Sequence, residues 1–186
     1  MSESACMNRR PRTIARSVKR RKDRSRRLLK AVLIYETFAA GERARGFFEK
    51  LACSSGRTLE EQTWSFDGLR IREARNAAAS AARKADIVAV CASARLELPG
   101  TIRAWLDMWV WLLDGEEPAF MALFDSPTAP QIASVRDYLS CLARRAELEF
   151  FVAYREITSS PAVRLIGDDL WPKAAEQAVL LWLKKK

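Results

Sequence analysis

The fold is indicated most clearly by residues 86–92, which read DIVAVCA. A short, continuous apolar run of this kind is typical of a strand that is buried on both faces of a parallel sheet. Residues 30–35, which read KAVLIY, have the same character. Between these two runs, apolar residues recur at helical spacing and predict a helix from about Gly41 to Cys53. This order of strand, helix and strand indicates an α/β protein.

The same alternation continues to the end of the chain. Further runs predict strands over 61–66, 118–124 and 149–154, of which the first is less apolar and so nearer an edge. Periodic segments predict helices over 71–85, 99–114, 131–146 and 172–186, with a loop over 158–170. Helical crossovers between strands favour parallel pairing with right-handed connections. We therefore predict an α/β fold with an open, doubly wound, five-stranded parallel sheet in the order 2-1-3-4-5, enclosed by two helical layers.

Positive charge is concentrated at the amino terminus. Residues 1–30 contain 12 Lys and Arg against 2 Asp and Glu, whereas residues 31–186 contain 20 against 21, so the whole chain carries +9. Like charges at this density oppose compaction. We therefore predict two parts, a disordered or transiently helical basic arm over residues 1–28 and an α/β domain over residues 29–186.

The arm has two interpretations. It could contact nucleic acid non-specifically through residues 9–30, because Lys and Arg side chains neutralise phosphates. It could equally be a solvated tail or an upstream extension produced by a wrongly assigned start site. The candidate nucleic-acid residues are Arg9, Arg10, Arg12, Arg16, Lys19, Arg20, Arg21 and Lys22.

Several classes of chemistry lose support because the chain contains no histidine. The absence of histidine excludes Ser-His-Asp catalysis, Cys-His catalysis and histidine-ligated metal sites. The four cysteines form no C-x-x-C pair, so a zinc ribbon or thioredoxin-type site is not indicated. No apolar run approaches the roughly 18 residues that span a bilayer, and no apolar segment follows the arm as in a secretory signal. We therefore expect a cytoplasmic protein.

A ligand site in such a sheet is expected at the loops beyond the carboxyl ends of the strands. Polar residues follow each predicted strand there, including Asp67 after the second and Arg155 after the fifth. The candidates for binding a cofactor are Glu36, Thr37, Gly41, Ser93, Arg95, Asp125 and Ser126.

This arrangement resembles the receiver domains of bacterial two-component signalling. Glu36 stands near that family's acidic pair but has no second carboxylate beside it, and strand three ends in Cys91-Ala92-Ser93, where the family has its phosphoaccepting Asp. Asp86 lies at the opposite end of that strand. Ser126 and Arg155 stand near the family's Ser/Thr and Lys positions. The resemblance implies a degenerate, pseudo-receiver domain that is not phosphorylated.

The chain also resembles flavodoxin-like proteins, in which a loop after strand one binds the phosphate of a flavin at a helix amino terminus. The corresponding residues here are Glu36-Thr37-Phe38-Ala39-Ala40-Gly41, with Arg43 inside the helix. This resemblance implies FMN or a nucleotide as the alternative cofactor. Residues 32–36, 64–67 and 98–105 are, in addition, similar to segments of small uncharacterised bacterial proteins of this architecture, which imply no reaction.

One predicted helix is unusually rich in tryptophan. At about 100° per residue, Trp105 and Trp109 share its inner face, whereas Trp111 points nearly opposite and has Met108 beside it. An outward tryptophan with a methionine neighbour is typical of a partner surface, although cover from another part of the chain is the alternative. We expect a homodimer or a protein partner at Trp111 and Met108. The sequence thus favours a non-catalytic regulatory or interaction module, with cofactor binding and nucleic-acid association as alternatives.

Overall fold

The computed structural model describes residues 28–93, 97–113, 115, 117–125, 130–155 and 172–186. The basic arm before Leu28 and the predicted loop over 158–170 lie outside these residues. Within the described part of the chain, no helix is both long and apolar enough to cross a lipid bilayer.

Five parallel strands form one sheet in the order β2-β1-β3-β4-β5, which confirms the predicted fold class and strand order. The strands are β1 (Leu28–Tyr35), β2 (Thr58–Ser65), β3 (Ile87–Ala92), β4 (Ala119–Phe124) and β5 (Phe150–Tyr154). The helices are α1 (Phe38–Ser55), α2 (Arg72–Ala82), α3 (Gly100–Trp111), α4 (Pro130–Arg145) and α5 (Lys173–Lys185), and a 3-10 turn covers Gly68–Arg70.

The sheet is covered on both faces, as its sequence predicts. Every residue of β3 and β4 is buried, because these central strands are enclosed by helices above and below. Apolar side chains of α2, α3 and α4 pack in one cluster with one face of the sheet. Those of α1 and α5 pack in a second cluster with the opposite face.

The edge strand β2 is more polar than the central strands, and it begins earlier than predicted. Its exposed residues alternate with half-buried ones from Thr58 to Gln62, so the apolar signal of its first half is weak. Thr58 nevertheless pairs in register with Leu28, the first residue of β1. Pairing in the sheet therefore includes Leu28, the first residue of β1.

Local capping explains the bounds of α1. The Thr37 side chain accepts a hydrogen bond from the Ala40 amide at 3.2 Å, so the helix begins at Phe38 rather than near Gly41. Gly56 ends it in a left-handed conformation with a φ of 66°. The helix consequently projects Phe38, rather than a loop residue, at the carboxyl end of the sheet.

Candidate functional site

The candidate site lies where the connections that leave β1 and β3 diverge. The connection after β1 enters α1 on one face of the sheet, whereas the connection after β3 leads to α3 on the other face. In open parallel sheets such a divergence creates a crevice beyond the carboxyl ends of the strands, where ligands bind. Glu36, Thr37 and Ser93 lie at this crevice.

Side chains join the two strand ends across this crevice. The Ser93 amide donates a hydrogen bond to Glu36 Oε2 at 2.7 Å, and the hydroxyl oxygens of Thr37 and Ser93 are 3.4 Å apart. The Glu36 amide donates to the carbonyl of Cys91 at 2.9 Å. A carboxylate that accepts from a backbone amide forms a charge-assisted bond, so Glu36 fixes the position of Ser93.

The amino terminus of α1 satisfies part of its own hydrogen-bonding capacity. The Ala40 amide is bound by the Thr37 side chain, and the Gly41 amide donates to the Thr37 carbonyl at 3.0 Å. A side chain at position 41 would place its Cβ 3.0 Å from the Tyr35 ring. Gly41 therefore allows the close packing of Tyr35 against α1, and its own amide belongs to the helix.

A second polar contact crosses this end of the sheet from α1 to the end of β4. Arg43 Nη2 donates to both carboxylate oxygens of Asp125 at 2.5 Å. Both side chains are largely shielded from solvent, with exposed fractions of 19% for Arg43 and 22% for Asp125. Charge-assisted contacts of this kind are stronger than neutral hydrogen bonds, and shielding from water reduces their screening.

Cys91 lies beneath this pair at the carboxyl end of β3 and is almost fully buried. Burial raises the pKa of its thiol far above the ordinary value, and the negative charge of Asp125 raises it further, while Arg43 opposes the shift. The thiol is consequently protonated at neutral pH. Since thiolates rather than thiols are nucleophiles, Cys91 does not supply one here.

The structure brings together most of the predicted cofactor-binding residues that it describes. Glu36, Thr37 and Ser93 form one hydrogen-bonded group, Gly41 lies within α1, and Asp125 pairs with Arg43. Arg95 and Ser126 lie outside the described residues.

Sequence reasoning missed one exposed aromatic residue at this site. Phe38 follows the capping Thr37 directly and is 74% exposed, although it is the first residue of α1. The signal was an aromatic residue immediately after a Thr that can cap a helix. Phe38 gives the start of α1 an exposed aromatic side chain, next in the sequence to the capping Thr37.

On α3 the predicted division between inner and outer faces is confirmed. Trp105 and Trp109 are fully buried and stack at a centroid distance of 6.0 Å, whereas Trp111 is 83% exposed. Met108 is partly buried against the same core. Exposed Ala104 lies two turns before Trp111 on the helix.

Two cavities lie at the opposite end of the sheet from this crevice. One has a volume of about 340 Å³ between β1, β2 and α2, and the other has about 520 Å³ beside the carboxyl termini of α1 and α5. Among the residues described, no group of three or more Cys, Asp or Glu side chains could hold a metal ion.

Comparisons with known proteins support the fold. Neither a protein-family model nor a curated protein sequence matches the chain. A short-chain flavodoxin associated with a non-canonical PDU bacterial microcompartment is 17% identical, with a TM-score of 0.51 over 84% of this chain and 97% of its own. An oxidoreductase from Corynebacterium diphtheriae is 10% identical, with a TM-score of 0.52 over 83% and 93%. The chain therefore has a flavodoxin-like fold.

Proposed function

We propose that this chain is a non-catalytic protein-interaction or regulatory module of receiver-like architecture, and that α3 presents its partner surface. The observation that carries the proposal is the exposure of Trp111. A tryptophan side chain buries 150 Å² or more in a typical core or interface, at roughly 25 cal/mol per Å². Covering Trp111 therefore contributes favourably to association. Half-buried Met108 and exposed Ala104 extend the surface along α3.

The carboxyl end of the sheet supports a non-catalytic role. Glu36 and Asp125 are each engaged by groups of this chain, and Cys91 is held as a thiol. Asp86 lies at the amino end of β3, where its side chain accepts from the Lys30 amide at 2.9 Å. A receiver domain needs a phosphoaccepting Asp where this chain has Cys91 to Ser93, so the proposal describes a degenerate receiver.

We expect the partner to be a second copy of the chain. Replacing Trp111 with Glu in the full-length protein places a charge at the centre of the proposed interface. Sedimentation velocity should then change from a self-associating species to a monomer. The matched control is Leu181→Glu, since Leu181 is also an exposed apolar side chain (61%) but lies on α5.

The two variants separate the possible outcomes. Loss of association in Trp111→Glu alone supports the α3 surface. If the wild type and both variants all sediment as monomers, the chain does not self-associate. In that case a role for α3 would require another protein partner whose binding is lost in Trp111→Glu and retained in Leu181→Glu.

The second candidate function is binding of FMN or another nucleotide at the crevice between β1 and β3. The observation that favours it is exposed Phe38, next in the sequence to the capping Thr37, since a planar ring could stack on the aromatic side chain. The phosphate group fits less well. Glu36 holds a negative charge at this position, and the Ala40 and Gly41 amides already have acceptors.

This candidate has a direct test. Protein purified without added cofactor should show visible flavin absorbance, or should quench flavin fluorescence on titration with FMN, and Phe38→Ala should reduce both signals. Leu181→Ala is the control, because it removes an exposed apolar side chain far from the crevice. Absence of absorbance together with absence of quenching in the wild type rejects flavin binding.

A further inference from the structure

We propose a second site, a cleft at the amino end of the sheet that binds the phosphate backbone of a nucleic acid. The cleft has a volume of about 520 Å³ and lies between the carboxyl-terminal ends of α1 and α5. Its walls carry four cationic side chains, two hydroxyl groups and two leucines. The cationic side chains are those of Arg57, Lys184, Lys185 and Lys186.

The four cations of this cleft lack an ion-pair partner within the part of the chain that the structure describes. Among the residues that the structure describes, none of Arg57 and the three lysines makes an ion pair with an Asp or Glu side chain. Arg57 donates to the Leu183 carbonyl at 3.1 Å, and Lys186 to the Glu117 carbonyl at 2.9 Å. Carbonyl groups orient these cations without cancelling their charge, and the carboxylate of Glu176 accepts from the lining Ser54 hydroxyl at 2.7 Å without forming an ion pair with them. An anionic ligand would compensate the charge of these cations.

The dipole of α5 does not account for the whole cluster. Basic side chains in a last helical turn stabilise a helix by interacting with its carbonyl end. Here the Leu183 carbonyl is already bound by Arg57, which belongs to the connection between α1 and β2 rather than to α5. Two separate segments therefore bring cations to one recess, and the repulsion between them is relieved when phosphates bind.

Sheet register connects this cleft with the basic arm. Leu28 pairs with Thr58, and Arg57 immediately precedes Thr58. Residues 1–27 therefore join the folded domain at the end of the sheet that carries the cleft. These residues include 11 Lys and Arg.

A nucleic acid fits this arrangement better than other anions. A single small anion needs few cations, whereas the four cations of the cleft match several phosphates of one strand. A bilayer presents a broad surface of headgroups, while these cations line a recess between two helices. Bases need not be read, so the expected binding is independent of sequence.

The test uses the full-length protein and a labelled single-stranded oligonucleotide of about 20 nucleotides, with binding followed by fluorescence anisotropy across a salt series. Lys184→Gln/Lys185→Gln removes two proposed phosphate contacts. We expect this variant to bind about tenfold more weakly at moderate salt, and its slope of log K against log salt to fall by about 1.4. Both lysines are exposed, so the fold should be retained, which circular dichroism verifies.

The matched control is Arg70→Gln/Arg72→Gln, which removes the same charge from exposed positions at the carboxyl end of the sheet. Its affinity and slope should equal those of the wild type. Equal losses in the two double variants would contradict the cleft and leave only a non-specific effect of net charge. If neither double variant changes the affinity for the oligonucleotide, the affinity resides in the arm alone and the cleft is not a binding site.

Two further arms of the experiment separate the sources of phosphate. Inorganic phosphate added at constant ionic strength should not displace the oligonucleotide, and displacement would reassign the cleft to a small anion. Vesicles containing anionic phosphatidylserine, compared at the same salt, should bind more weakly than the oligonucleotide. Binding to vesicles without binding to the oligonucleotide would overturn the proposal. None of these outcomes depends on whether α3 mediates self-association.

Discussion

The charged side chains at the two ends of the sheet differ in how they are paired. At the carboxyl end, Glu36 accepts from the Ser93 amide and Asp125 is bound by Arg43. At the amino end, Arg57 and the lysines over 184–186 face a cleft without a carboxylate partner among the described residues. Ligands of flavodoxin-like and receiver-like folds are expected at the carboxyl end. In this chain a cleft lined by four cationic side chains lies at the other end.

This difference suggests how the two ends should respond to substitution. Internally paired groups contribute to folding, so their loss should lower the free energy of unfolding. Unpaired like charges repel one another, so their loss should have little effect on stability and a large effect on ligand binding.

The largest effect is expected at the Arg43–Asp125 pair. Asp125→Ala removes two charge-assisted hydrogen bonds that are largely shielded from solvent, and the free energy of unfolding should fall by about 2–3 kcal/mol. Urea denaturation measures the change. The control is Asp107→Ala, which breaks the exposed contact to Arg145 and should cost less than about 0.5 kcal/mol. Equal losses in the two variants would contradict a special role for the carboxyl end.

A smaller effect is expected at Glu36. Glu36→Ala leaves the Ser93 amide without its acceptor and should lower the free energy of unfolding by about 1–2 kcal/mol. Glu36→Gln retains a carbonyl oxygen at the same position and should recover much of the loss. If Gln and Ala are equally destabilising, the charge of Glu36, rather than its hydrogen bond to Ser93, holds the two strand ends together.

The third prediction concerns pH. Because burial raises the pKa of the Cys91 thiol, the folded state retains this proton at pH values where the unfolded state loses it. The stability that this group provides is therefore complete below the unfolded pKa of roughly 8.5 and declines as the pH rises above it. Between pH 8.5 and 9.5 the wild type should lose about 1 kcal/mol more than Cys91→Ala. Parallel pH profiles of the two proteins would contradict this burial.

The smallest change in stability is expected at the amino end. Lys184→Gln/Lys185→Gln should alter the free energy of unfolding by less than about 0.5 kcal/mol, because lost helix-dipole interactions and relieved repulsion oppose one another. The same urea measurement applies. A loss comparable to that of Asp125→Ala would mean that these lysines serve the fold, which would remove the distinction between the two ends.

Much of the fold follows from the sequence because three strands are apolar almost throughout. β1, β3 and β4 could be identified from their composition, and the helices between them required parallel pairing. The start of β2 could not be placed, since an edge strand alternates exposed and half-buried residues and has a weaker apolar signal. The start of α1 could have been placed from Thr37, whose hydroxyl is a typical helix cap.

The candidate site could be predicted only in part. Strand ends identified which residues reach the carboxyl edge, including Glu36, Ser93 and Asp125. The partners of these residues depend on the relative positions of segments more than 50 residues apart, which no local pattern contains. The cleft at the amino end was missed because the lysines of α5 had a sufficient local explanation in the helix dipole, and Arg57 meets them only in three dimensions.

The polar edge of β2 has a consequence for the behaviour of this protein in concentrated solution. An open strand edge offers unpaired backbone groups to a neighbouring molecule and can start intermolecular sheet growth. Glu60 and Glu61 bring two acidic side chains into the middle of this strand, and Glu61 is held there by Arg45 at 2.6 Å. The exposed Glu60 side chains of two such edges would repel each other before their backbones could pair. The β2 edge is thus protected against pairing with a second copy of itself.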